Sequence, residues 1–268
     1  MKGIRSLLFV PAEEKRLSKI GYTDADAYII DLEDSIGVED KEAALQRTVE
    51  FLRCCGGRRN LFVRINKLSY RAELSRLQRF DIGIVLPKIE SEADYGEAAD
   101  ILRTRSVIAL IETPQSLLNV GAIASYPWVT ALAFGAEDFS AATNMRNSID
   151  TLLVPKTLLV LAAKANRKQV YDTPCFRIRD KEAMACELKQ AVELGFDGKL
   201  AIHPEQAEAI NEAFQLSDPQ YVQHIIETYE ASAAAVCEID GRVYEKPHID
   251  RLREMLACER QRKKFYTK

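Results

Sequence analysis

The chain has 268 residues, 47% of them hydrophobic and 29% charged, a balance that suits a folded globular protein and excludes a disordered one. A net charge of −3 and a pI near 5.8 give no general attraction for nucleic acid, whose binding proteins carry a basic stripe. No apolar run reaches the roughly 18 residues needed to span a membrane, and the chain opens without a charged-then-apolar leader. The six cysteines have no paired CxxC spacing, so reduced thiols in a cytoplasm are expected.

In chain order, short apolar, β-branched runs alternate with longer amphipathic stretches, the pattern of parallel βα units. The first predicted strand, Ser6 to Val10, leads into the segment AEEKRLSKI. The second, Ala27 to Leu32, ends in DLEDS, and a helix is predicted over Glu39 to Arg53. The third, Leu61 to Ile65, ends in VRIN; the fourth, Ile82 to Leu86, runs into LPKIE, with a helical pattern over Glu92 to Leu102. The fifth, Ser106 to Ile111, stops at Glu112, and the sixth, Val129 to Gly135, gives out just before Asp138. A helix over Asp150 to Asn166, a strand over Gln169 to Asp172 and a helix over Lys181 to Leu194 come next. The eighth strand, Lys199 to Ile202, stops at His203.

Eight strands, each followed by a helix, fit an α/β fold closed as a (βα)8 TIM barrel better than an open sheet, so residues 1–215 are expected to form one catalytic domain. Residues 216–268 are expected to form a C-terminal helical extension. It holds helices over Pro219 to Glu238 and His248 to Lys263, joined by the turn-like IDGRVYEKP. With no strand partner, it would pack outside the barrel or on a neighbouring subunit. The basic tail from Arg260 to Lys268 reads as a solvated helix end.

The unusual polar residues collect at the predicted strand ends: Asp31, Glu33 and Asp34; Arg64 and Asn66; Lys88; Glu112; Asp138; His203. A buried carboxylate without a partner costs several kcal/mol, so a strand ending on one points it at solvent, a cation or a donor. Glu112 and Asp138 come from different strands, with no Cys or His pair at ligand spacing, and so make an oxygen-only site for a hard cation, Mg²⁺ above all. The competing reading is that both merely favour the helix N-termini that follow. Arg64 supplies a rigid fork of donors for a carboxylate or a developing oxyanion.

Other motifs fall away. DLEDSIGVEDKE loosely resembles an EF-hand loop but has Ile36 where a glycine is needed. There is no GxGxxG, P-loop or GxSxG. Lys88, between Pro87 and Ile89, reads more simply as a charged ligand or structural pair than as a Schiff-base lysine, and His203 as a satisfied rim residue.

RSLLFVPA, DLEDS with Lys41 beyond it, VRIN, VLPKIE, LIET, FGAEDF and GFDGKLAIHPEQ, in this order, resemble the citrate lyase β-subunit and HpcH/HpaI aldolase family, including the stand-alone malyl-CoA and citramalyl-CoA lyases. The resemblance runs from Arg5 to about Leu256. It implies a TIM barrel assembled as a homotrimer or hexamer, and Mg²⁺-dependent cleavage or condensation of an acyl-CoA with a 2-keto acid. Residue by residue it implies Glu112 and Asp138 as metal ligands, Glu33 and Asp34 as groups around the metal's waters, and Arg64 as the substrate-binding arginine. Glu112 would also face the substrate. The backbone of Gly135 and Ala136 would take the keto acid's carboxylate, and Arg16 and Lys19 would meet CoA phosphates. A tail motif resembling DGxMxDxP supplies the family's proton-transfer acid to a neighbouring subunit. Here the match is DGRVYEKP, which puts Glu245 in that place. The expected reaction is retro-Claisen cleavage of a 3-hydroxyacyl-CoA, with citramalyl-CoA giving acetyl-CoA and pyruvate as the preferred case. The alternatives are citryl-CoA or malyl-CoA, a malate-synthase-like thioesterase, or a subunit acting on acyl-carrier-protein thioesters.

Overall fold

A computed structural model of the chain describes residues 3–55, 60–232 and 234–266. Residues 267 and 268 of the expected basic tail lie outside the described ones. The chain divides into two compact units, Gly3–Ala213 and the residues from Phe214 onward.

The first unit is a closed barrel of eight parallel strands: β1 (Ser6–Pro11), β2 (Ala27–Asp31), β3 (Leu61–Arg64), β4 (Gly83–Leu86), β5 (Val107–Ile111), β6 (Ala131–Phe134), β7 (Gln169–Asp172) and β8 (Gly198–Ala201). β1 pairs with both β2 and β8, which closes the ring. Strands such as VIALI in β5 are buried at every position, because one face fills the barrel and the other lies under helices, so the sequence reads as a continuous apolar run. Leu7, Ala27, Ile29, Phe62, Ile108, Leu110, Ala131, Ala133 and Leu200 pack the interior. Successive inward residues are two apart, so Asp31, Arg64, Glu112 and Gly135 continue that inward phase to the carboxyl ends of their strands.

The expected helix over Glu92 to Leu102 is broken into 3-10 turns at Glu92–Asp94 and Gly96–Ala98 and a short helix at Ala99–Leu102. Gly96 supports helix poorly, and Tyr95 between the turns is fully buried, its hydroxyl donating to the Pro87 carbonyl at 2.7 Å.

In the second unit the expected helix from Pro219 ends at Ser232, short of Glu238, and the expected turn is a β-hairpin of β9 (Val236–Ile239) and β10 (Arg242–Glu245). Its loop is Asp240–Gly241, at φ 50° and 76°, the positive-φ pair that a tight two-residue hairpin turn requires. Helix Lys246–Tyr266 follows, and Ile225, Ile226, Ile239, Tyr244 and Ile249 form a small core of the unit. No described helix is long and apolar enough to cross a membrane.

Candidate active site at the barrel mouth

Register brings the first pair together. Asp31 and Arg64 are direct neighbours across β2 and β3, both facing inward. Arg64 Nε donates to Asp31 Oδ1 at 2.7 Å and Nη2 to Oδ2 at 2.8 Å, a two-pronged pair in which the arginine is nearly buried. Nη1 donates to Asp34 Oδ2 at 2.8 Å and lies 3.1 Å from Glu33 Oε2, while the guanidinium carbon stands 4.9 Å from the centre of the Phe9 ring. Backbone N–H groups of Glu33 and Ser35 donate to the two Asp31 oxygens, and Lys41 Nζ donates to the carbonyls of Leu32 and Glu33. Burial alone would raise the Asp31 carboxyl, but the hydrogen bonds and charge of Arg64 outweigh it and hold it below its ordinary value.

Glu112 follows β5 directly and is 2% exposed. Its Oε1 accepts the Lys88 backbone N–H at 2.8 Å. Burial, reinforced by the charge of Glu33 and opposed by Arg64, pushes its carboxyl up to about 8. Burial likewise raises Glu33, whose Oε2 is buried without a hydrogen bond of its own. Asp138 is not on a strand: β6 ends at Phe134, and Asp138 lies in the first turn of helix Ala136–Thr143, half-buried and within electrostatic reach of Glu112 and Lys88.

Asp31, Glu33, Asp34, Glu112 and Asp138 thus face Arg64 and Lys88, an excess of carboxylate in a partly dry site. The donors are oxygens only, and among the described residues no group of three or more acids, histidines and cysteines forms a ready-made cage. That set suits a hard cation that takes one or two carboxylates and fills its remaining positions with water or substrate.

The backbone at Gly135 and Ala136 stands beside this cluster: a side-chain carbon on Gly135 would come within 2.5 Å of Glu112 Cβ and 2.6 Å of its Oε2. The Ala136 N–H donates to Thr173 Oγ1 at 3.2 Å. Arg16, in the short helix Glu14–Leu17, and Lys19 are exposed beyond the end of β1 and take no part in the carboxylate cluster. His203 accepts the Glu205 N–H at Nδ1, 3.4 Å, at the start of helix Pro204–Ala213. Glu245 closes β10 in the second unit, exposed, its backbone N–H donating to His248 Nδ1 at 3.2 Å.

Two participants carry no role in the sequence reading. Asp31 is the anchor of Arg64, a pairing that emerges only from the β2–β3 register, and Thr173 meets the Ala136 amide from the loop after β7, where nothing in the sequence marks it.

Residues 5–204 match the family model HpcH/HpaI aldolase/citrate lyase. The chain is similar to a (3S)-malyl-CoA thioesterase of Cereibacter sphaeroides, 31% identical over 270 residues that cover 94% of this chain and 93% of that protein. It is also similar to the human mitochondrial citramalyl-CoA lyase, 28% identical over 242 residues, covering 80% and 71%. A solved structure of the citrate lyase beta subunit from M. tuberculosis, complexed with oxaloacetate and magnesium, superposes with a TM-score of 0.71 at 27% identity, covering 80% of this chain and 99% of that one. The chain belongs to the HpcH/HpaI aldolase/citrate lyase family and is an enzyme of the carbon–carbon lyase class.

Proposed function

We propose that this enzyme cleaves a 3-hydroxyacyl-CoA by Mg²⁺-dependent retro-Claisen chemistry, with citramalyl-CoA giving acetyl-CoA and pyruvate as the preferred substrate, and that it works in the cytoplasm as a homotrimer or hexamer. The observation that carries the reading is the buried carboxylate excess around Glu112. Glu112 and Asp138 would hold the ion, with Glu33 and Asp34 orienting its waters. Bound there, Mg²⁺ supplies Lewis-acid polarisation of the hydroxyl and keto oxygens. The M. tuberculosis structure with magnesium and oxaloacetate supports both the metal and the keto acid.

The residues divide the remaining work. The backbone at Gly135 and Ala136 seats the keto acid's carboxylate, the Ala136 N–H by exchanging its bond to Thr173 for one to substrate, while the Gly135 N–H stays bonded to the Ile111 carbonyl at 3.0 Å and Gly135 contributes room rather than a donor. Arg64, fixed from behind by Asp31, meets the thioester oxygen on which charge develops by giving up the contact of Nη1 with Asp34. The hydroxyl passes its proton to a carboxylate of the surrounding cluster, the carbon–carbon bond breaks with its electron pair passing to the acetyl unit, and an acid delivers a proton to that carbon. Glu245 of a second copy is the acid, and Arg16 and Lys19 meet the CoA phosphates. The C-terminal residues 216–268 serve as the extension that carries Glu245 to a neighbour.

Likeness to a (3S)-malyl-CoA thioesterase supports a second reading, hydrolysis of the thioester. One experiment separates the two: purified protein with Mg²⁺ and a panel of 3-hydroxyacyl-CoAs, with products identified by mass. Intact acetyl-CoA together with a 2-keto acid is expected. Free CoA with an uncleaved hydroxy acid would replace the lyase reading by the thioesterase one.

A further inference from the structure

Among the described residues of the rim, Lys88 alone has its backbone in the left-handed region, at φ 49°, where L side chains other than Asn and Asp are rarely found. Residues persist there only when their surroundings over-determine them, and such strain gathers at functional sites. The surroundings here do so from several sides. The Lys88 carbonyl accepts Lys67 Nζ at 2.7 Å, and Lys67 is itself tied to Asp94 at 2.9 Å. The preceding carbonyl, on Pro87, accepts the Tyr95 hydroxyl at 2.7 Å, and Tyr95 packs edge-on against Tyr70 with ring centres 5.1 Å apart. What the turn achieves is local: it aims the Lys88 amide at Glu112 Oε1, 2.8 Å away, while its ammonium lies 3.3 Å from Glu33 Oε1.

We infer that Lys88 is a positioning residue, whose left-handed backbone, clamped by Lys67 and Tyr95, fixes the Glu112 carboxylate in the orientation that receives the cation. The inference rests on the reading of Glu112 as a Mg²⁺ ligand. Its particular content is that the backbone shape, more than the lysine side chain, governs affinity for the ion. Orienting partners of metal ligands are worth roughly 10–100-fold in metal affinity, so the effect is within reach of direct binding measurements.

The test compares neutral replacements, which cancel the loss of the ammonium. Lys88→Asn tolerates the left-handed region, Lys88→Ala less so, and Lys88→Val, β-branched, least. Mg²⁺ affinity is measured by calorimetry on the full-length protein, without substrate, at a temperature where circular dichroism shows wild type and variants folded. Lys88→Val is expected to bind Mg²⁺ at least about tenfold more weakly than Lys88→Asn, with Lys88→Ala between them. Should Lys88→Val fail to fold, a gap of at least about threefold between Lys88→Asn and Lys88→Ala carries the same meaning. Equal affinities across the neutral variants, with wild type binding the ion, overturn the inference alone. Wild-type protein that takes up no Mg²⁺ overturns the metal reading and the inference with it.

Discussion

Gly135 has no room for a side chain. Its φ is −102°, an ordinary value for any residue, so the requirement is purely one of space: the nearest obstacle is Glu112 Cβ, an atom fixed to its backbone and unable to swing away. Gly135→Ala must therefore displace Glu112. We expect Mg²⁺ affinity measured by calorimetry to fall at least about tenfold, with a loss of stability of about 1–3 kcal/mol from overpacking. Wild-type affinity in that variant would remove Glu112 from the metal site. At this scale the sequence exposed Glu112, Asp31 and Arg64 through their places at strand ends, because a charge terminating an apolar run is visible in one dimension. It did not expose which acid holds the arginine, since that depends on a β2–β3 register that no local pattern encodes. The left-handed turn at Lys88 was equally silent: Pro87 constrains its own backbone and that of Leu86 before it, not the residue after.

The eight strands were legible to within a residue or two, because elements buried on both faces leave uninterrupted apolar runs. The hairpin of β9 and β10 was present in the sequence as VCEIDGRVYE, alternation around an Asp-Gly pair, but its flanking helical patterns obscured it. Less legible was an ion cluster between the barrel wall and its outer helices. Asp172 at the end of β7 is fully buried and bonded to Lys199 of β8 at 2.7 Å and to Lys156 of helix Leu153–Ala165 at 3.0 Å, while Lys199 also meets Glu187 of helix Lys181–Leu194 at 3.2 Å. Burial would raise the Asp172 carboxyl, but the two ammonium groups outweigh it and hold it below its unfolded value of 3.8. A carboxylate with a depressed folded-state value contributes stability that is complete above the unfolded value and lost as pH falls through the lower one. Asp172→Asn leaves two buried ammonium groups short of a charge, at a cost of about 3 kcal/mol in urea unfolding at pH 7. The gap between variant and wild type should narrow below pH 3.8, as protonation of Asp172 makes the two alike. A gap that stays constant with pH would show that the aspartate's charge is not what stabilises the cluster.

At the scale of the whole molecule, the reading of Glu245 makes activity a property of the assembly. If Glu245 crosses to a neighbour, mixing an inactive Glu245→Gln chain with an inactive Glu112→Ala chain should restore partial turnover, because some mixed sites receive a sound metal site from one chain and a sound acid from the other. Recovery of up to about a quarter of wild-type activity is expected from random mixing, and none despite verified subunit exchange would end the crossing model. The barrel seam has a consequence of a different kind. β8 joins β1 through Gly198, where any side-chain carbon would fall on the Arg5 carbonyl, and through the Lys199 N–H bonded to that carbonyl at 2.8 Å. Helix Pro204–Ala213 then ties Asn211 Nδ2 to the Asp24 carbonyl at 2.6 Å, a bond spanning 187 positions of chain. A nascent chain therefore carries two unpaired strand edges until residues 198–211 have left the ribosome, and can seal them only then. Chains cut short before Gly198 are accordingly expected to associate edge to edge instead of folding, so the protein's vulnerability to aggregation is set by when the eighth barrel strand arrives.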